Sequence, residues 1–418
     1  MKVLWVTNIS TGPANRMLGK PESPFGGWLQ GALGAIDKEA GIHLILASPG
    51  SESVRALGSE GGVDYVAFPT MGRRVTKNAG REIAVEILKN YRPDLVHIHG
   101  TEMPHSQSFA AECAARKVPT VVSIQGLVSV YATHLEAHLP TSVVHGLSTR
   151  PWVRSDRVAG LRRSFEAQGR LERATLQLVT HVIGRTTWDF ACTGQINSER
   201  HYHHCDETLR ASFYDARWRW EDVRPHSIFV AQGHYPIKGL HLLLQALPVV
   251  VARFPDALVT VAGQSPVEPR QRTPYSRYIA RLVRDFRLGE HVRFVGPQTE
   301  AQMVAHYMAS HVVACPSTIE NSPNSVAEAM LLGAPVVAAH VGGIPDMVTH
   351  AADGLTYQAD APYMLAHSIL KMFDSPDAAA EMGARARDRA MLRHDPERNA
   401  RRTAEIYSDI LTPERTSR

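Results

Sequence analysis

The sequence predicts an α/β fold built twice: two domains, each a doubly wound parallel sheet, facing a central cleft. Three observations carry this reading. Short apolar runs of strand length alternate with stretches of helical apolar spacing along nearly the whole chain. The alternation runs from residue 2 to about 183 and starts again at 228. The chain has 418 residues, more than one hydrophobic core normally organises.

In the first half, strands are expected at 2–7, 43–47, 64–68, 95–99, 121–124 and 181–183, with helices at 79–90, 106–116 and 168–179. Residues 8–24 are polar and rich in Gly and Pro and read as a loop. Gly26-Gly27 then opens a helix with Leu29, Ala32, Leu33, Ile36 and Ala40 on one face. Strand, glycine loop and helix form a nucleotide-type unit, but without G-x-G-x-x-G it is no dinucleotide fingerprint. A plain tight turn is the other reading of the glycine pair.

Ligands of doubly wound sheets bind beyond the carboxyl ends of the strands. That rule picks out His97-Ile98-His99-Gly100-Thr101-Glu102 and Ser123-Ile124-Gln125-Gly126. His97 and His99 share a strand face. A packed histidine or an H-x-H zinc site are the alternatives to a ligand contact at His99, and no third metal ligand is evident. Residues 150–173 hold seven arginines, at 150, 154, 157, 162, 163, 170 and 173. They form either a solvated helix face or a patch for an anionic lipid surface or a pyrophosphate-linked acceptor. His201–Asp206, HYHHCD, is metal-like in content but too crowded for a common zinc pattern. Residues 213–224, with Trp218 and Trp220, read as the inter-domain connection.

In the second half, strands are expected at 228–231, 259–262, 292–294, 312–315 and 336–338. Helices fit 239–254, 275–286, 300–310 and 324–332, and the tail at 376–393 and 396–410. The stretch PSTIENSPNSVAEAMLLGAPVVAAHVGGIPD, residues 316–346, is the most informative. Ser322 reads as an N-cap, Pro323 as the first helical residue and Gly333 as the stop. Glu320 and Glu328 have seven residues between them. On a helix that puts them about 12 Å apart, too far for a paired acid/base site. Each carboxylate therefore has its own task. The helix start between them offers free N–H groups and a positive dipole end, an anion site. A phosphate site with two separate hydroxyl-binding carboxylates suits a sugar nucleotide. Lys238, in QGHYPIKGL just before a helix, can meet a diphosphate as a point charge.

The motif E-x7-E, followed by EAM-x-x-G-x-P-V-V and V-G-G-x-P, resembles the donor site of the retaining glycosyltransferases of family 4, with the GT-B fold of two Rossmann-like domains. The resemblance covers nearly the whole chain and is strongest in the second half. It implies an N-terminal acceptor domain over 1–215, a linker over 216–225 and a donor domain over 226–394. A last helix, 395–418, would cross back onto the N-terminal domain. It implies catalytic roles for Glu320, Lys238 and His99. Donor binding would fall to Gly26, Gly27, Gly263, Gly296, Asn321, Ser322, Pro323, Asn324, Ser325 and Glu328. The glycines could equally serve as ordinary turns. The family's G-R-x-x-x-x-K-G motif keeps its lysine at Lys238, but its arginine position falls on Gly233. Arg185 and His234 are the candidates to replace that charge. Gln125 stands where His is expected, and Gln cannot carry a proton.

The resemblance implies a retaining, metal-independent transferase that moves a sugar from a UDP- or GDP-linked donor, with no cofactor, to a carbohydrate or lipid-linked acceptor hydroxyl. Polysaccharide or glycolipid assembly would be its setting. A sugar-nucleotide epimerase, a phosphorylase and a catalytically silent nucleotide-sugar scaffold are the rivals. No D-x-D, Walker A or G-x-S-x-G sequence is present. The net charge of +4 is too small to argue nucleic-acid binding. Four scattered cysteines suggest neither a disulfide framework nor a zinc site. The N-terminus reads as a strand rather than a signal peptide, and no run reaches membrane-span length. A cytoplasmic protein, at most peripheral on a membrane, is expected.

Overall fold

The computed structural model describes residues 1–21, 27–36, 41–71, 77–145, 158–265 and 273–412. They form two compact units. One comprises Met1–Ser129, Ala167–Arg210 and His394–Arg418, the other Val130–Glu166 and Ala211–Arg393.

The first unit holds an eight-stranded sheet among the described residues. Its strands are β1 (Lys2–Val6), β2 (His43–Ser51), β3 (Arg55–Glu60), β4 (Val63–Pro69), β5 (Leu95–His99), β6 (Thr120–Ser123), β7 (His181–Gly184) and β8 (His201–His204). Their order is β3-β4-β2-β1-β5-β6-β7-β8. All pairings are parallel except β3 with β4, a hairpin at the sheet edge. Gly61 and Gly62, both at positive φ, make its turn. The central strands β1 and β5 are buried on both faces, as helix-covered parallel strands are, with His97 and His99 set among the apolar residues of β5.

The second unit holds β9 (Arg224–Val230), β10 (Leu258–Ala262), β11 (Val292–Gly296), β12 (Ser310–Cys315), β13 (Val336–Ala339) and β14 (Leu355–Tyr357). They form one parallel sheet in the order β11-β10-β9-β12-β13-β14. The helix Leu240–Arg253 lays an almost wholly apolar face into its core.

Several expectations need correction. Residues 8–24 were expected as a loop, yet Gly12–Met17 is a helix, started by Pro13 in its first turn. The helix expected at 168–179 spans Val158–Leu178. HYHHCD is largely the edge strand β8, which explains its crowded spacing. The contiguous first domain, 1–215, is interrupted. Val130–Glu166 groups with the second unit because Leu139, Val143, Val144 and Val158 pack into that unit's core. The buried His241 secures them, its Nε2 lying 2.8 Å from the Ala137 carbonyl. The stretch expected as the linker, 216–225, packs on the second unit. Trp218 is buried, with its indole N–H donating to the Ser310 carbonyl at 2.9 Å, and β9 begins at Arg224. The last helix, Pro396–Leu411, belongs to the first unit, where Ile406, Tyr407 and Ile410 pack with Leu29, Leu33 and Ile36.

One buried carboxylate in the first unit makes stability depend on pH. Glu172 accepts hydrogen bonds from the Val128 and Ser129 N–H groups, at 2.7 and 3.0 Å, capping the helix Val128–His134. Burial outweighs these bonds and pushes its pKa up to about 7 from 4.5. A raised carboxyl pKa stabilises the fold below the unfolded value and loses that contribution as pH rises through the folded one. Unfolding free energy should therefore fall between about pH 4.5 and 7, by up to about 3 kcal/mol from this group. Denaturant titrations across that range should show a flatter dependence in Glu172→Gln than in the unaltered protein.

Candidate active site

In the second unit the chain passes from β9 to β10 on one side and later reaches β12 on the other. The switch point of the sheet therefore lies between β9 and β12, where such sheets bind ligands. The loop after β9 carries Lys238 and the loop after β12 carries Glu320. Their side chains meet: Lys238 Nζ lies 2.6 Å from Glu320 Oε1. The Ser317 hydroxyl donates to the same oxygen at 2.7 Å. Burial opposes the ammonium charge, but Glu320 and Tyr235 more than offset it and raise the Lys238 pKa above the ordinary lysine value.

The backbone forces this meeting. Thr318 N–H donates to the Ile237 carbonyl at 2.8 Å, and Gly343 N–H to the Glu320 carbonyl at 3.0 Å. Gly239 sits at φ +69°, where any Cβ would collide with the Pro316 carbonyl. Gly342, at φ +51°, faces the Glu320 carbonyl in the same way. Only glycine lets these segments pass at contact.

The helix that follows is Asn324–Leu332, ended by Gly333 in the left-handed conformation. Its cap residue is Pro323, with no side-chain cap bond, so Ser322 is not the N-cap and Pro323 is not the first helical residue. The difference is one position. Val326 and Ala327 donate back to the Pro323 carbonyl, and the N–H groups of Asn324 and Ser325 open the helix. Asn321 is buried beside Glu320. Glu328 lies within the helix, 6 % exposed, and accepts from the Tyr307 hydroxyl at 3.1 Å. Gly263 follows β10 and Gly296 ends β11, at φ +82° and +73°, with Gly263 N–H donating to the Gly296 carbonyl at 2.9 Å. The carboxyl edge of one sheet thus gathers Lys238, Gly263, Gly296, the 320–325 loop and Glu328.

Gly26 lies outside the described residues, as do Arg150, Arg154 and Arg157; Gly27 is the first residue of the helix Gly27–Ile36. Arg162, Arg163, Arg170 and Arg173 are exposed, and Arg162 pairs with Glu136 and Glu166. His99 is buried at the end of β5, where it faces Trp5 and lies against the His97 ring, tilted 30° to it at 3.9 Å between ring centres. A cavity of about 60 Å³ adjoins it, lined also by Gln125, Arg185, Glu207 and Thr403.

The charge missing at Gly233 has a steric counterpart. A Cβ there would stand 2.9 Å from Leu240 Cδ2 and 3.0 Å from Val261 Cγ1. Neither proposed substitute supplies a spare cation. His234 is pushed down to about 4 by burial and by Lys238, so it is neutral at pH 7. Arg185 belongs to the first unit, where Glu207 balances it at 3.0 Å.

Two groups escaped the sequence reading. Tyr131 hydrogen-bonds the backbone of Asn321, and burial together with Glu320 raises its pKa. It comes from the 130–166 excursion, nearly 200 positions before its partner, with no motif to mark it. At the switch point of the first sheet, between β1 and β5, Asn8 Nδ2 donates to Glu102 Oε1 at 2.8 Å and Asn8 Oδ1 lies 3.0 Å from His105 Nε2. Glu102 stood in the stretch singled out by the carboxyl-end rule; Asn8 and His105 carried no signal.

The two parallel-sheet units have the GT-B fold. Residues 213–389, less than half of the chain, match the family model of glycosyl transferases group 1. A D-inositol 3-phosphate glycosyltransferase from Corynebacterium urealyticum is 29% identical over 178 residues, 42% of this chain and 41% of that protein. The match thus spans about two fifths of the relative's length. Sucrose-phosphate synthase from Thermosynechococcus elongatus superposes with a TM-score of 0.71 at 17% identity, over 98% of this chain and 99% of that one. HepE from Anabaena, solved in complex with UDP and glucose, gives 0.67 at 17% identity, over 98% and 99%. Identities this low speak for the fold alone. Among the described residues no helix is long and apolar enough to cross a membrane.

Gly239→Ala tests the loop crossing. The left-handed conformation alone costs an L-residue about 1–2 kcal/mol, and the collision with Pro316 adds to it. Thermal and denaturant unfolding should show a loss of at least about 2 kcal/mol, against under about 1 kcal/mol for Gly289→Ala, whose added Cβ meets nothing within 4 Å.

Proposed function

We propose that this chain is a retaining glycosyltransferase, which moves a sugar from a UDP- or GDP-linked donor to an acceptor hydroxyl of a carbohydrate or lipid-linked molecule. The observation that carries the reading is the Lys238–Glu320 pair at the switch point, beside the opening of the Asn324–Leu332 helix. Lys238 and the helix N–H groups meet the diphosphate, Glu320 the hydroxyls of the donor sugar and Glu328 the ribose. The name of the Corynebacterium relative and the UDP and glucose in HepE support a nucleotide-sugar donor.

Retention without a protein nucleophile is the mechanism we favour. No second carboxylate stands close to Glu320 in its loop, and Lys238 occupies the near oxygen. The acceptor attacks from the face the diphosphate leaves, and the leaving phosphate takes the acceptor's proton. Charge grows on that phosphate in the transition state, where Lys238 and the N–H groups stabilise it. His99 orients the acceptor or the phosphate; its pKa is held well below the ordinary value by burial, so it acts as a neutral hydrogen-bonding group. Assembly of a polysaccharide or glycolipid, and contact of the arginine-rich segment with an anionic membrane face, complete the proposal.

Consumption of UDP- and GDP-sugars with and without added acceptors separates transfer from epimerisation and from passive binding. Lys238→Ala should lower kcat by about 10²-fold or more, the loss expected for one oxyanion-stabilising donor. Glu320→Gln should lower turnover while free nucleoside diphosphate binds as well as before or more tightly, since the anion competing for Lys238 is gone. Equal losses in calorimetry and steady-state kinetics would contradict this division of labour. The product's anomeric configuration, read by NMR, should match the donor's; an inverted product or a trapped glycosyl-enzyme would refute front-face attack.

A further inference from the structure

The last helix brings a tyrosine under the residue to which the proposed function gives acceptor or phosphate contact. Tyr407, fully buried, receives the indole N–H of Trp5 at 2.9 Å. Its oxygen lies 2.6 Å from His97 Nδ1, and His97 Nε2 lies 2.6 Å from the Ser123 hydroxyl. Trp5, His97 and Ser123 stand on neighbouring strands β1, β5 and β6. Above them lies His99, 4.6 Å from the Trp5 ring and 3.9 Å from the His97 ring.

The protons in this row can be placed. Trp5 can only donate, so the phenol oxygen accepts from it. That oxygen has a second lone pair, but a phenol that also uses its own donor sends its proton to His97 Nδ1, 2.6 Å away, which is then the unprotonated ring nitrogen. His97 therefore carries its proton on Nε2 and donates to Ser123. The ring is neutral, because burial, aided by Arg185, pushes its pKa down to about 3. With both nitrogens engaged, the His97 ring is held against flipping or turning, and the His99 ring packed beside it has one wall fixed.

We propose that Tyr407 is a positioning residue for His99: its hydroxyl fixes the tautomer and plane of His97, and His97 with Trp5 holds the His99 ring at the end of β5. The inference rests on the role given to His99 above. It assigns the C-terminal helix a part in the chemistry of the first unit beyond covering its core.

Two kinds of measurement test it, and one needs no activity. Long-range ¹⁵N–¹H correlation spectra of the full-length protein, with imidazoles assigned through His97→Gln and His99→Gln, should show His97 as the Nε2–H tautomer. Its Nδ1 resonance should sit at the position of a hydrogen-bonded nitrogen. In Tyr407→Phe that resonance should move toward the unbonded position. Ser123→Ala, which removes the other partner and leaves the helix untouched, should disturb the Nε2 signal instead. In donor turnover, Tyr407→Phe should lower kcat about 5- to 10-fold with KM for the nucleotide sugar unchanged, while the exposed Ser408→Ala changes neither. An Nδ1–H tautomer in the unaltered protein overturns the proton order. Full turnover in a folded Tyr407→Phe, where His99→Ala is impaired, overturns the positioning role. If His99→Ala is itself without effect, the role of His99 fails instead, and the positioning inference falls with it, whatever the spectra show.

Discussion

A charge taken out of water must find a partner, and the Lys238–Glu320 pair is where the second unit meets that demand. Glu320 is buried and Lys238 is only 17 % exposed, so either charge alone would be costly, and removing one partner of a fully buried pair typically costs several kcal/mol. The surrounding backbone serves this constraint. Gly239 and Gly342 have no side chain because the loops must touch there, and Ser317 fills a remaining lone pair of the carboxylate. A site of this kind is held ready. Under the proposed function, a diphosphate arriving at Lys238 would trade one anion for another, so that binding would exchange partners instead of creating a new buried charge.

The same reasoning accounts for Gly233. Leu240 and Val261 crowd that position, so the fold has no room for a second cation without a shift of both. His234 stays neutral beside the lysine because burial and a neighbouring positive charge act in one direction. The loop thus concentrates its positive charge on Lys238, whose ammonium carries three donors on a flexible stem.

The fold was legible wherever apolar periodicity was strong. The strand over 95–99 and the helix over 324–332 stand where the sequence placed them, because apolar segments of strand and helix length bounded by polar residues or glycine mark buried elements. β3 was invisible: RALGSE is exposed at the sheet edge and shows no alternation, and the Gly61-Gly62 pair after it was not read as a turn. The excursion of 130–166 was illegible for another reason. Which core receives Leu139 or Val143 is decided by three-dimensional packing, not by local pattern. For the candidate site, the 316–346 stretch is marked by its motif, while Tyr131, Asn8 and Tyr407 carry no local sign. Their partners lie tens to hundreds of positions away in the chain.

The bond from Trp5 to Tyr407 spans 402 positions. During synthesis at ~5–20 residues per second, the first strand waits roughly 20 to 80 seconds for the helix that completes its core. Until then Leu29, Leu33 and Ile36 lack the cover of Ile406 and Ile410, and the indole N–H has no phenol to meet. The helix Gly27–Ile36 thus presents a half-covered apolar face to water until the Pro396–Leu411 helix has been made, a surface suited to a chaperone's grip.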